Sequence, residues 1–228
     1  MELLVFGHGG SRVMVFPTRK HRFHEYENMG MVEILRHRIE QGGLQLYCVD
    51  SLDAESFYAH HLPPSQRLLR HQSYEKYLVR EVVPFIRKDA PAAELTTHGC
   101  SLGAFHAVNL ALRFPHLFRR VVAFSGRYDL TLAIEHFDDL FSGFRDDDVI
   151  ENTPVLYLGT VTCERTQTHW RRLDIQLALG DDDPFRENTE AFGRALAKQG
   201  VPYKIHFWQG RAHDPASWRT MAAHLLAG

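Results

Sequence analysis

Short apolar runs bounded by turn residues alternate with stretches whose apolar positions recur at helical spacing, the pattern of strands interleaved with helices in an α/β sheet. Glu2 to Phe6 and Val13 to Phe16 are two such runs, split by Gly7-His8-Gly9-Gly10-Ser11. That turn composition predicts an antiparallel hairpin at the start of the sheet. After a polar, His-rich loop, a helical stretch around Met31 to Glu40 stops at Gly42-Gly43, and Leu44 to Val49 reads as the next strand, completing one βαβ unit. Tyr77, Leu78, Val82, Phe85 and Ile86 fall at helical spacing within Tyr74 to Ile86, and Ala90-Pro91 breaks the pattern before a strand near Leu95 to His98. Ser101 to Phe114 predicts a helix closed by Pro115, Arg120 to Phe124 and Ile175 to Leu179 predict strands, Pro184 to Lys198 a helix, and Tyr203 to Trp208 the last strand. In the final helix Trp218, Met221, Ala222 and Leu225 form the stripe of a helix packed on a sheet.

The rhythm lapses from about residue 127 to 173, a stretch too long for a plain crossover that holds Phe137, Phe141, Phe144, Tyr157 and Trp170 among acidic residues. Such excursions are usually functional loops or caps, so this is a candidate lid; the plainer reading is an insertion that packs on its own aromatics. The 228 residues suit one domain spanning 1–228 rather than two. The expected fold is a mostly parallel central sheet with an N-terminal antiparallel hairpin and helices on both faces.

Chemistry enters at Gly99-Cys100-Ser101-Leu102-Gly103, a G-x-S-x-G turn between a strand pattern and a helix pattern. A strained strand-to-helix reversal lifts the serine Oγ above the sheet edge, and small flanking residues, here Gly99, Gly103, Ala104 and Ala107, let the helix pack closely. The helix start also offers free N–H groups to a developing oxyanion, which makes Leu102 a predicted backbone donor. The plain alternative is a Ser-Gly turn that merely begins a helix. The preceding Leu95-Thr96-Thr97-His98 is more polar than a buried parallel strand usually is.

Serine is a weak nucleophile without a base and an orienting acid, which in a sheet of this kind follow in the order acid, then histidine. Strand Ile175 to Leu179 runs into Gly180-Asp181-Asp182-Asp183-Pro184, at the carboxyl end where such sheets build sites. Asp183 is the favoured acid, although aspartate before proline is also an ordinary helix cap; Asp181, Asp182 and Asp129 are alternatives. Of fifteen histidines most must be inert. His213 stands out because it lies between the last strand and the last helix, whereas His206 lies within that strand and reads as structural. His8-Gly9-Gly10 resembles an oxyanion loop in composition, but such a loop follows the strand leading into the first crossover helix. That strand is Val13 to Phe16, so the second oxyanion N–H is assigned to Thr18 or Arg19 in Pro17-Thr18-Arg19.

A formal charge of −2 gives no basic footprint for nucleic acid, and no apolar run is long enough for a membrane span. The strand pattern opens directly at Glu2 without a charged-then-apolar leader; a native segment ahead of it is compatible with this. Cys48, Cys100 and Cys163 are too few and scattered for a disulfide framework, which points to the cytoplasm. His21 and His24, His60-His61, Asp146-Asp147-Asp148 and Asp181-Asp182-Asp183 match no zinc or EF-hand spacing, so no metal site is expected.

Together these residues resemble the esterase D-like family of the α/β hydrolases, which includes mycobacterial mycolyltransferases and enterochelin esterases. The likeness runs from about Leu3 to Met221. It rests on the elbow, on Tyr74-x-x-Tyr77-Leu78-x-x-Glu81-x-x-Pro84-x-Ile86 before it, and on Phe114-Pro115-x-x-Phe118 and Phe124-Ser125-Gly126 after it. G-x-x-D-P at 180–184 and His213-Asp214-x-x-x-Trp218 complete the set. Pro17-Thr18 departs from the HG or DG dipeptide that relatives carry there. The resemblance implies an α/β-hydrolase fold, a Ser101, Asp183 and His213 triad, no cofactor, and acyl transfer from a small-molecule ester. An acyltransferase, or a non-catalytic binding protein on the same scaffold, would use the same fold. A homo-oligomer is compatible with the sequence, which does not specify the quaternary state.

Overall fold

The computed structural model describes residues 1–92 and 94–226. Strands β1 (Leu3–Phe6), β2 (Ser11–Phe16), β3 (Leu44–Val49), β4 (Leu95–Cys100), β5 (Phe118–Phe124), β6 (Asp174–Gly180) and β7 (Tyr203–Trp208) form one sheet in the order β1-β3-β2-β4-β5-β6-β7. All neighbours are parallel except β1 and β3. The expected hairpin does not form: the antiparallel partner of β1 is β3, with Leu3 opposite Val49, and β3 lies between β1 and β2. The glycines between β1 and β2 serve a different purpose from a tight turn. They carry the chain across the start of β3, where a Cβ on Gly7 would lie 2.5 Å from the Leu44 carbonyl oxygen and one on Gly10 would lie 2.2 Å from the Gly43 carbonyl carbon.

Apolar residues in the central strands alternate between two buried faces, which explains why those runs are nearly continuous. Val13 and Val15 of β2 and Val122 and Phe124 of β5 face one cluster, together with α1 (Glu25–Asn28), α2 (Met31–Glu40) and α10 (Pro215–Leu225). Met14, Phe16, Val121 and Ala123 face the other, against α3 (Pro64–Tyr77), α4 (Val83–Arg87), α5 (Leu102–Arg113) and α9 (Arg186–Lys198). Two side chains of the polar stretch in β4 find partners in neighbouring elements: Thr97 Oγ1 donates to the Ala107 carbonyl at 2.9 Å, and His98 Nδ1 donates to the Val122 carbonyl at 2.7 Å. Burial holds the His98 imidazole neutral by lowering its pKa to about 4.

The helix before β4 begins at Pro64, well before the apolar pattern at Tyr74, because the face it buries first carries Arg67, Leu68 and His71. Arg67 donates to the carbonyls of Phe57 and Leu140, so a polar side chain fills a core position through tertiary partners. Between α3 and α4 the helix widens into a π turn over Leu78–Val82. Pro84 has no N–H to give the preceding turn and its ring crowds the carbonyl there, which the wider turn relieves.

Within residues 127–173 lie three short helices, α6 (Asp147–Glu151), α7 (Pro154–Tyr157) and α8 (Glu164–Trp170). Tyr157, Leu158 and Trp170 join the main core, while Leu130, Leu140, Phe141 and Val149 pack on Phe57, Leu68, Leu102 and Phe105. The segment is therefore anchored along most of its length. Among the described residues no helix is long and apolar enough to cross a membrane.

Candidate active site

The carboxyl ends of β2, β4, β6 and β7 converge on Ser101. The serine has φ 53° and ψ −119°, a backbone strain that the fold maintains by closing Ser101 N–H onto the Phe124 carbonyl at 2.8 Å. The elbow is as tight as its glycines imply. A Cβ on Gly99 would lie 2.3 Å from the Gly103 carbonyl, and one on Gly103 would lie 2.5 Å from the Phe16 carbonyl oxygen and 2.6 Å from that of Pro17. Both obstacles are backbone, so neither yields cheaply. Gly103→Ala is expected to lower stability by about 1–3 kcal/mol through overpacking, and a denaturant midpoint equal to that of the parent would refute this.

His213 Nε2 lies 3.2 Å from Ser101 Oγ, and His213 Nδ1 lies 3.0 Å from Asp183 Oδ2. Because an ionised carboxylate only accepts, the Nδ1 proton points to Asp183 and the Nε2 lone pair is left toward the serine. Asp183 is buried and holds a second bond: its Oδ1 accepts from the Phe185 N–H at 2.9 Å, which leaves Oδ2 for the imidazole. The capping and orienting readings of this residue thus coexist, one on each oxygen. The other acids are engaged elsewhere or exposed. Asp181 accepts from the Gly210 N–H at 2.7 Å, Asp129 accepts from the Thr131 N–H at 2.9 Å and hydroxyl at 2.6 Å, and Asp182 is exposed. His206 pairs with Gln176 at 2.8 Å within the sheet.

The loop carrying His213 turns through Ala212 at φ 44° and is tied down from both sides. Ser125 Oγ accepts from Trp218 Nε1 at 3.2 Å and donates to the Ala212 carbonyl at 3.5 Å, and Asp214 caps α10 through the N–H groups of Ala216 and Ser217. The imidazole packs between Phe185 and Trp218, each 5.5 Å away between ring centres. Packing and hydrogen bonds together fix its rotamer.

Leu102 begins α5, so its N–H lies at the free start of the helix. The Pro17-Thr18-Arg19 loop sits directly against the elbow through the contact at Gly103. Thr18 departs from its expected role: its N–H and hydroxyl both donate to the Glu25 carboxylate at 2.6 Å. A carboxylate outcompetes a neutral acceptor for that N–H, whereas the Arg19 N–H has no partner among the described residues. On the far side of the loop Lys20 N–H donates to Asp53 Oδ2 at 3.4 Å, and Asp53 Oδ1 lies 2.8 Å from His106 Nε2 on α5. The loop is therefore strung between two buried carboxylates, one of them braced on α5. His8-Gly9-Gly10 lies at the opposite end of the sheet, against Gly42 and Gly43.

Glu25, Asp53 and His106 carry no signal in the sequence, where they look like any acid on a helix or any histidine. Arg19, Tyr58, Arg127, Phe137 and Phe185 complete a narrow cleft over Ser101 and Leu102. Of these, Tyr58 and Arg127 are likewise invisible to periodicity. Among the described residues no group of three or more histidine, cysteine or acidic side chains could hold a metal ion.

Known proteins bear on this geometry in three ways. The Putative esterase family matches residues 26–227. No curated protein matches the chain. Solved structures that share the fold include a ferulic acid esterase, 18% identical, with 99% of this chain and 90% of that one covered and a TM-score of 0.75. Another is FphF of Staphylococcus aureus, a fluorophosphonate-binding serine hydrolase, 18% identical over 97% of this chain and 89% of that one, with a TM-score of 0.72. An S-formylglutathione hydrolase from Agrobacterium tumefaciens is 17% identical over 98% and 87% of the two chains, with a TM-score of 0.68. With a seven-stranded sheet of this topology and a family match over most of its length, the chain belongs to the Putative esterase family of α/β hydrolases, and its class of chemistry is carboxylic ester hydrolysis.

Proposed function

We propose that the protein hydrolyses a small-molecule carboxylic ester by double displacement, with Ser101 as nucleophile, His213 as general base and acid, and Asp183 as orienter. The observation that carries this reading is the continuous line of contacts, Asp183 Oδ2 to His213 Nδ1 at 3.0 Å and His213 Nε2 to Ser101 Oγ at 3.2 Å. Ser101 Oγ forms a bond to the ester carbonyl carbon as its proton passes to His213 Nε2. The carbonyl oxygen, now negative, accepts from the N–H groups of Leu102 and Arg19. Collapse breaks the bond to the alcohol oxygen, which takes the proton from Nε2, and an acyl-serine remains. Water then repeats the sequence: His213 takes its proton, and Ser101 leaves as the acid departs.

Within residues 127–173 the part that covers the cleft is the stretch around Phe137, whose ring lies 6.2 Å from the His213 ring. We assign it the lid role, with the rest of the segment serving as its anchor. Three free cysteines, Cys48 and Cys100 buried among them, suit a cytoplasmic location.

A fluorophosphonate probe tests the reading directly, because it reacts only with a serine activated in this way. The intact protein is expected to gain one adduct, mapped by mass spectrometry to the peptide containing Ser101. An unmodified Ser101 after long exposure would remove the basis for catalysis.

A further inference from the structure

The cleft over Ser101 holds two cations that the hydrolytic cycle does not use. Arg127 is 4% exposed, and burial lowers its pKa. Its Nε donates to the Asp129 carbonyl at 3.2 Å, and its Nη2 reaches the carbonyls of Leu130, Leu132 and Asp138. Its Nη1 makes no hydrogen bond among the described residues. The acids nearest to it are committed elsewhere: Asp129 to Thr131, and Asp139 to Arg145 and to the N–H groups of Phe141 and Gly143. Asp138 accepts a hydrogen bond through its carbonyl, while its carboxylate acts on Arg127 without direct contact.

Arg19 sits across the mouth of the same cleft, its guanidinium carbon 5.8 Å from the Tyr58 ring centre and 5.6 Å from that of Phe137. Lys20 Nζ stands 4.9 Å from the Tyr58 ring centre. The neighbouring Arg211 pairs with Glu135 at 2.6 Å. Neither Arg19 nor Arg127 has a carboxylate partner of this kind among the described residues. A buried guanidinium hydrogen-bonded only to carbonyls, with its nearest carboxylates outside ion-pair contact, keeps charge that a ligand can balance, and the space it faces is the space a substrate must occupy.

We propose that the substrate is an ester bearing an anionic group, a carboxylate in the simplest case, which Arg127 and Arg19 hold beside the scissile carbonyl. This rests on the reading of Ser101 as nucleophile given above. The aromatic walls of this narrow cleft restrict the remainder of the acyl or alcohol group to a compact, partly apolar one. A charge-assisted contact in a water-poor cleft then supplies selectivity that a neutral ester of the same size does not receive.

Two matched substrate pairs separate the two places the anion can sit. On the acyl side, p-nitrophenyl hydrogen succinate is compared with p-nitrophenyl butyrate, with enzyme-free hydrolysis subtracted; on the alcohol side, para-acetoxybenzoate is compared with phenyl acetate. In one pair kcat/KM is expected to favour the anion by about 10- to 100-fold. That ratio should fall toward one in Arg127→Met, in Arg19→Met and at high salt. Each ratio is taken on a single preparation, so loss of folded protein cancels; if Arg127→Met does not fold, Arg19→Met and the salt series decide.

Turnover of the neutral esters with no preference for either anion overturns the inference and leaves the hydrolase reading standing. So does a preference untouched by either substitution and by salt. Turnover of none of the four esters overturns the inference too, whereas absence of the fluorophosphonate adduct on Ser101 overturns the hydrolase reading itself.

Discussion

Replacing Ser101 by alanine is expected to lower turnover of a small activated ester by about 10^4- to 10^6-fold, the range found when a triad nucleophile is removed. The size of the loss follows from the division of labour at the site. Deleting one oxygen removes the covalent intermediate and leaves His213 Nε2, now without its partner at 3.2 Å, to act on water alone. The elbow itself should survive. Ser101 contributes its strained backbone and its bond to the Phe124 carbonyl through main-chain atoms that alanine keeps, although φ 53° is no easier for alanine. Retention of the parent's far-ultraviolet spectrum and denaturant midpoint, alongside the kinetic loss, is the expected pattern. Activity within tenfold of the parent would exclude Ser101 as nucleophile.

The next largest effect is expected from Asp183→Asn, about 10^4-fold in kcat. The exchange nearly preserves shape and burial but offers an amide where a carboxylate stood. An amide N–H facing His213 Nδ1 favours the tautomer with its proton on Nε2, which then points a hydrogen at Ser101 Oγ and cannot accept one. Asp183 is also the only one of the four candidate acids in hydrogen-bond contact with the imidazole among the described residues. Asp181→Asn and Asp182→Asn are therefore expected to stay within a few-fold of the parent. Steady-state rates on all three variants decide the assignment, and it fails if Asp181→Asn or Asp182→Asn causes the larger loss.

The structure also narrows what the Pro17-Thr18-Arg19 loop can do. Strung between Glu25 and Asp53, it is held at its Thr18 and Lys20 N–H groups, and the intervening Arg19 N–H has no partner among the described residues. Preorganisation of this kind lets a donor meet developing charge without paying to reorganise. On the function proposed above, it also gives Arg19 two separable contributions, a backbone donor toward the carbonyl oxygen and a side chain across the mouth of the cleft.

What the chain discloses by itself are the features governed by short-range rules. Apolar runs in β2, β5 and β6 are legible because both faces of a parallel sheet are buried, α2 and α10 because each presents a stripe to that sheet, and α5 because it is buried nearly all round. The elbow at Ser101 is legible for a related reason: a strained reversal admits few residues, and the contacts at Gly99 and Gly103 show why glycine fits there. The position of His213 was legible from element order, since it follows the last strand and precedes the last helix.

Pairing between distant segments was decided only in three dimensions. Nothing local in Gly7-His8-Gly9-Gly10-Ser11 distinguishes a hairpin from a crossing over the start of β3, because both need glycine for backbone reasons; strand order settles it through which edges remain unpaired. Asp181, Asp182 and Asp183 are chemically equal as neighbours in sequence, and the turn after β6 alone buries one and leaves the other two exposed. Arg67, Asp53 and His106 read as surface residues until partners supplied by remote segments compensate their burial. Periodicity and turn chemistry are local properties of the chain, whereas the compensation of a buried charge is a property of the assembled fold.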